Sequence, residues 1–128
     1  MPAPQDPEIE RLVWRLIERG SAYDVEALSK IYDDDQYLLF VRGDGSVDRV
    51  DRTQTLAKFK ARHEAGHTPL STEAELLHIE QQTDAAVVLL RRRMDPDAPS
   101  NLYELRLRHT PAGWKVSGET VTPWPTIG

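Results

Sequence analysis

Few residues in this chain have the means for chemistry. They are Asp24, His63, Glu75, Arg92 and Tyr103, with Tyr37 and Phe59 as aromatic company. Glu75, Arg92 and Tyr103 make a recognition set. Arg92 suits a carboxylate or carbonyl and Tyr103 a hydroxyl. The same set permits a second use, with Glu75 as a carboxylate base and Tyr103 donating to an enolate oxygen. Arg92 beside Glu75 would lower the carboxyl pKa and blunt it as a base. Asp24 sits where a helix cap is needed and is otherwise a weak catalytic candidate. The chain has no cysteine, which excludes thiolate nucleophiles, thiolate metal sites and disulfides. His63 and His67 are four apart, as helical zinc ligands can be. Gly66 breaks the helix between them and no third ligand follows, so no metal is expected. No phosphate loop or dinucleotide glycine pattern is present, and no cofactor is expected.

The elements that must position these residues follow from periodicity. Asp6-Pro7 opens a helix, with a capping residue and then proline at the first helical position. Ile9, Leu12, Val13, Leu16 and Ile17 give it one apolar stripe, and Gly20 stops it. Asp24 caps a short helix holding Val25, Leu28 and Ile31. A β-rich run, 37–41, turns at Gly43-Asp44-Gly45 and returns through Val47 and Val50. Asp51 and Gln54 resemble a capping box for a third helix. Its inner stripe is Leu56, Phe59 and His63, which aims His63 toward a cavity. Strands then run over 72–82, 85–94, 101–109 and 114–121, and Thr110-Pro-Ala-Gly113 makes a type I turn.

Loop length sets strand register, and register decides which residues share a face. Uninterrupted pairing gives one face with rows Ile79–Val88–Leu107–Val116, Leu77–Leu90–Leu105–Gly118 and Glu75–Arg92–Tyr103–Thr120. The first two rows are apolar and meet the helices. The third is polar and closes one end of the cavity, where Tyr37 and Phe59 are additional lining candidates. The opposite face carries Leu76, His78, Val87 and Leu89 among charges. Helices can cover only one face, so this set is expected to meet another subunit.

These features resemble the nuclear transport factor 2-like superfamily, including its SnoaL-like proteins. The resemblance spans about residues 8–122. It rests on the helix 9–19, the stretch Asp24-Val-Glu-Ala-Leu28 with Ile31-Tyr-Asp-Asp-Asp35, the helix 53–65, and Gly113-Trp-Lys-Val116. It implies an α+β fold in which a cone-shaped, antiparallel curved sheet wraps around N-terminal helices. It also implies a pocket between sheet and helices and a homodimer through the outer sheet face. The superfamily contains isomerases, cyclases and dehydratases as well as non-catalytic assembly modules, so fold alone leaves function open. Tyr23-Asp24 is similar to the Tyr-Asp pair of scytalone dehydratase-like members, where the Asp acts beside two histidines. Here Pro69-Leu70-Ser71 stands where the first histidine is sought.

Bulk properties bound the answer. The 128 residues fit one domain, 1–128, with 1–5 as a loose tail. A chain with 39% hydrophobic and 29% charged residues reads as a soluble globule. The net charge of −5 argues against a nucleic-acid partner. The longest apolar run, 85–90, is far too short to span a membrane. The start lacks a signal peptide, and with no cysteine a cytoplasmic location is expected. The expected partner is a small apolar ligand.

Overall fold

Helix α1 (Pro7–Ser21) begins where the Asp6 carboxylate accepts a hydrogen bond from the Glu8 backbone N–H. The same carboxylate accepts from Trp114 Nε1 at 2.9 Å, and the Asp6 backbone N–H donates to Gln81 Oε1 at 2.8 Å. The first turn is therefore pinned to two distant strands. Ile9, Val13, Leu16 and Ile17 are buried, as the stripe requires. Asp24 caps α2 (Val25–Ile31) through the Ala27 N–H, and Tyr23 reaches that corner with φ +56°. The capping box at Asp51 and Gln54 starts α3 (Arg52–Glu64).

The computed structural model describes residues 6–125, so the 1–5 tail lies outside the described residues. Six strands form one curved, unclosed sheet. They are β1 (Tyr32–Val41), β2 (Val47–Asp51), β3 (Ala74–Gln81), β4 (Ala85–Arg92), β5 (Asn101–Thr110) and β6 (Gly113–Pro123). The spatial order is β2-β1-β6-β5-β4-β3. The C-terminal strands make the expected antiparallel meander, while β1 runs parallel to β6, so the sheet is mixed. The three helices precede β3, and α1 and α2 pack on one sheet face. The core lies there, with Ile9, Leu28, Val88, Leu90, Leu105 and Val116 at most 2% exposed. No helix among the described residues is long and apolar enough to cross a membrane.

Two interruptions of register matter for everything that follows. In β3, Leu76 pairs with Leu90 and His78 with Leu89, so Leu77 is an extra residue. In β6, Val116 pairs with Leu107 and Gly118 with Arg106, so Ser117 is extra. Each bulge moves the residues beyond it to the opposite face. Leu76 thus packs inward against the core, and Leu77 is left 41% exposed. Placing Leu76 on the outer face, with Glu75 and Leu77 on the inner one, is corrected by this bulge. The β4–β5 register also differs, by two residues. Val88 faces Leu105 and Leu90 faces Tyr103, which leaves their faces unchanged.

Candidate functional site

An apolar cavity of about 180 Å³ opens between α3 and the inner face of the sheet. Leu16, Leu38, Phe40, Phe59, Leu70 and Val121 supply much of its wall. Its polar end is made by four residues from different strands: Tyr32 on β1, Arg92 on β4, Tyr103 on β5 and Glu119 on β6. Tyr103 lies opposite both Leu90 and Val121, and Glu119 lies opposite Leu105 and Leu38. All four are at most 8% exposed.

Arg92 is held from the helix side. Its Nη2 donates to Ser21 Oγ at 2.5 Å and, more weakly, to the Ile17 carbonyl at 3.5 Å. These groups belong to the C-terminal end of α1, where the helix dipole favours a cation. Its guanidinium also lies 5.9 Å from the centre of the Tyr103 ring. Arg92 Nε is buried with no hydrogen-bond partner among the described residues. Among the described residues the Tyr103 hydroxyl reaches only the Met94 sulfur, at 3.5 Å, a weak acceptor. No hydrogen bond is made by the Glu119 carboxyl among the described residues. Donor capacity and acceptor capacity are thus both left over at the same end of an apolar cavity. Buried polar groups left this way are costly unless something pairs with them.

Electrostatics follow from the burial. Desolvation pushes the Glu119 carboxyl up to about 7, against the opposing pull of Arg92 and Arg106. Burial likewise pushes the Tyr103 hydroxyl up to about 12, with Arg92 opposing. It drives the Tyr32 hydroxyl well above its usual value, and the Glu119 charge adds to that. Burial lowers the Arg92 pKa, while Tyr103, Glu119 and Tyr32 oppose that loss. At neutral pH the end therefore holds a cation, two intact phenol donors, and a carboxyl able to give or take a proton. Such a carboxyl can act as general acid or base, and the phenols can donate to a developing oxyanion.

The residues singled out from sequence divide sharply. Arg92, Tyr103 and Phe59 line the cavity together. Glu75 does not: the β3 bulge puts it on the outer face opposite Arg91, 3.6 Å away, with its side chain 60% exposed. Tyr37 also lies on the outer face, beneath the guanidiniums of Arg49 and Arg106 at 4.9 and 5.3 Å. His63 is exposed and borders a shallow dip with Asp24, outside the cavity. The wall of α3 is instead Thr55, Lys58, Phe59 and Arg62, rotated by about one residue from the stripe through His63. Asp24 is occupied as the α2 cap and stands 3.5 Å from Arg19. Val87, Leu89 and His78 do lie on the outer face, His78 at 3.0 Å from Glu80. Among the described residues, no three His, Cys, Asp or Glu side chains gather as they would around a metal ion.

Sequence reasoning missed Glu119 and Tyr32. The signal for Glu119 was present: Val116 and Val121 are five apart, an odd separation. Both can face the core only if the strand carries one extra residue, and Ser117-Gly118 is a natural place for it. That extra residue turns Glu119 inward.

No protein-family model matches the chain, and no curated protein matches it by sequence. Solved structures do match it in shape. A nuclear transport factor 2-like protein of unknown function from Silicibacter pomeroyi is 15% identical, with a TM-score of 0.72 over 91% of this chain and 92% of its own. A nuclear transport factor 2-like protein from Cytophaga hutchinsonii is 21% identical, with a TM-score of 0.70 over 95% and 100%. A ketosteroid isomerase-like protein from Erwinia carotovora atroseptica is 14% identical, with a TM-score of 0.64 over 92% and 95%. The chain has the nuclear transport factor 2-like fold.

Proposed function

We propose that this protein binds a small, largely apolar molecule carrying a carbonyl or hydroxyl oxygen. The ligand's apolar body fills the cavity and its oxygen meets Arg92, Tyr103 and Glu119. The observation that carries this reading is the unspent hydrogen-bonding capacity at the cavity's buried end: among the described residues Arg92 Nε has no partner and the Tyr103 hydroxyl has only a sulfur. The volume fits the reading as well. A dry cavity of roughly 150 Å³ can hold a benzene ring, so about 180 Å³ suits a single substituted ring.

A second reading is an enzyme of the isomerase, cyclase or dehydratase type acting on a small apolar carbonyl compound. It is favoured by Glu119, whose carboxyl is pushed up to about 7 inside the cavity. In that reading Glu119 takes the proton next to the carbonyl, and Tyr103 donates to the resulting enolate oxygen. One of the solved structures of the same fold carries the description ketosteroid isomerase-like, which agrees with this reading without deciding it. A homodimer through the outer face, with Val87, Leu89 and His78 in the contact, completes the proposal, together with a cytoplasmic location. A non-catalytic assembly role is the outcome if no ligand binds.

The test is a thermal-shift screen of ring ketones, phenols and aromatic acids on the wild type, Tyr103→Phe and Arg92→Ala. Binding should raise Tm in the wild type, and the shift should shrink in both variants. A wild type that no member of the panel shifts sinks the binding reading. A shift that Tyr103→Phe and Arg92→Ala leave untouched places the ligand elsewhere. For the enzyme reading, Glu119→Gln should abolish any turnover while leaving binding in place.

A further inference from the structure

The ionisable lining of the cavity is lopsided. Lys58, Arg62 and Arg92 face a single carboxyl, Glu119, in a chain whose net charge is −5. The four are not mixed together. Arg92 and Glu119 both belong to the buried end, where each influences the other's ionisation. Lys58 and Arg62 lie one turn apart on α3, so they stand on the same helix face. Among the described residues neither has a carboxylate within 4.0 Å. Other surface cations do have one, including Lys60 with Glu64 on the same helix and Arg42 with Asp48 beyond the cavity rim. The Arg62 guanidinium lies 5.9 Å from the centre of the Tyr23 ring. Lys58 also borders an adjoining surface depression that Phe40 and Tyr103 share with the cavity, so its ammonium stands at the cavity's outer side.

The two ends therefore ask for different chemistry. At the buried end a cation and a carboxyl already offset each other, so a neutral oxygen fits. The α3 side presents two uncompensated positive charges to whatever enters. Building on the binding reading above, we propose that the ligand is amphipathic and anionic. It is a single-ring carboxylate whose acid group sits between Lys58 and Arg62 while a neutral oxygen at the other end reaches Arg92 and Tyr103. Lys58 and Arg62 are then specificity residues that select acids over neutral molecules of the same shape. This orientation also spares the ligand's charge from full desolvation, the costly alternative at the Arg92 end.

Isothermal titration calorimetry at pH 8 tests this with matched pairs: 4-hydroxybenzoate against 4-hydroxybenzamide, and 3-(4-hydroxyphenyl)propionate against its amide. The wild type should bind the acids roughly fivefold or more tightly than the amides, the increment expected of two half-exposed charge contacts. Lys58→Gln/Arg62→Gln should bring the acids down to the amides' level, and Lys58→Arg should keep the preference. Both altered side chains are on the helix surface, and an unchanged Tm checks the fold. Equal affinity for acid and amide in the wild type overturns the inference and leaves the binding reading standing. A preference that survives the double substitution also overturns it, placing the carboxylate at Arg92. If neither member of any pair binds, the binding reading fails and this inference fails with it.

Discussion

Replacing Glu119 with Gln should change how stability depends on pH, and by an amount the site itself sets. Glu119 is 5% exposed, and its carboxyl is pushed up to about 7 in the folded chain, against 4.5 for an ordinary glutamate. Between those values the folded state holds a proton that the unfolded state has released, so stability falls as pH rises. Below 4.5 both states are protonated and the penalty is absent; above 7 it is complete. At 1.36 kcal/mol per pH unit, the loss on going from pH 4 to pH 8 is about 3 kcal/mol. Glutamine carries no charge and removes this slope. Its amide finds no more partners than the acid did, which offsets the absolute stability by about 1–2 kcal/mol at every pH. The informative quantity is therefore the difference between the two proteins as pH changes. Urea unfolding at intervals from pH 4 to pH 8 should show Glu119→Gln gaining on the wild type by about 3 kcal/mol between pH 4.5 and 7. Parallel curves across that range would refute the argument, because they would mean that Glu119 is as well solvated folded as unfolded.

Two further outcomes follow from the same geometry. Ser21→Ala removes the hydroxyl 2.5 Å from Arg92 Nη2 in a fully enclosed corner. It should cost roughly 1–3 kcal/mol in urea unfolding and should weaken ligand binding through the loosened guanidinium. Leu89→Asp places a charge on the outer face, beside Val87 and opposite His78 and Glu104. Light scattering should find a dimer for the wild type and a monomer for the variant, and a wild type that is monomeric at high concentration would end the dimer proposal.

Much of the frame is legible in the sequence. The three caps, at Asp6, Asp24 and Asp51, declare themselves because a side-chain oxygen must satisfy the open N–H groups of a helix start. The turn at Thr110–Gly113 and the pairing of His109 with Trp114 follow from loop length. What alternation could not carry was the register past a bulge. Regular pairing from the last turn puts Thr120 beside Tyr103, whereas Ser117 shifts the strand so that Val121 takes that place and Glu119 turns to the core. In β3 the adjacent Leu76 and Leu77 are equally suited to the interior, so the pattern holds no preference between them. The structure turns Leu76 inward, and Glu75 leaves the site. The N-terminal strand is a different kind of gap. Tyr32 pairs with Val116 and Tyr37 with Gly118, so four residues, 33–36, span a single residue of β6. Asp34 and Asp35 are exposed there while Gln36 is enclosed, and Asp33 is tied to Arg108. Nothing in an acidic run foretells pairing of that kind.

The most direct test of the central claim is a carboxyl-carbon NMR titration of Glu119, run free and in the presence of saturating 4-hydroxybenzoate. Expected is a free midpoint near 7, with Glu119, Tyr103 and Phe59 signals moving together when the acid is added and the Glu119 midpoint displaced by it. A midpoint near 4.5 and unmoved by any bound ring compound would contradict it, because the buried polar end would then be neither dry nor a place where a ligand sits.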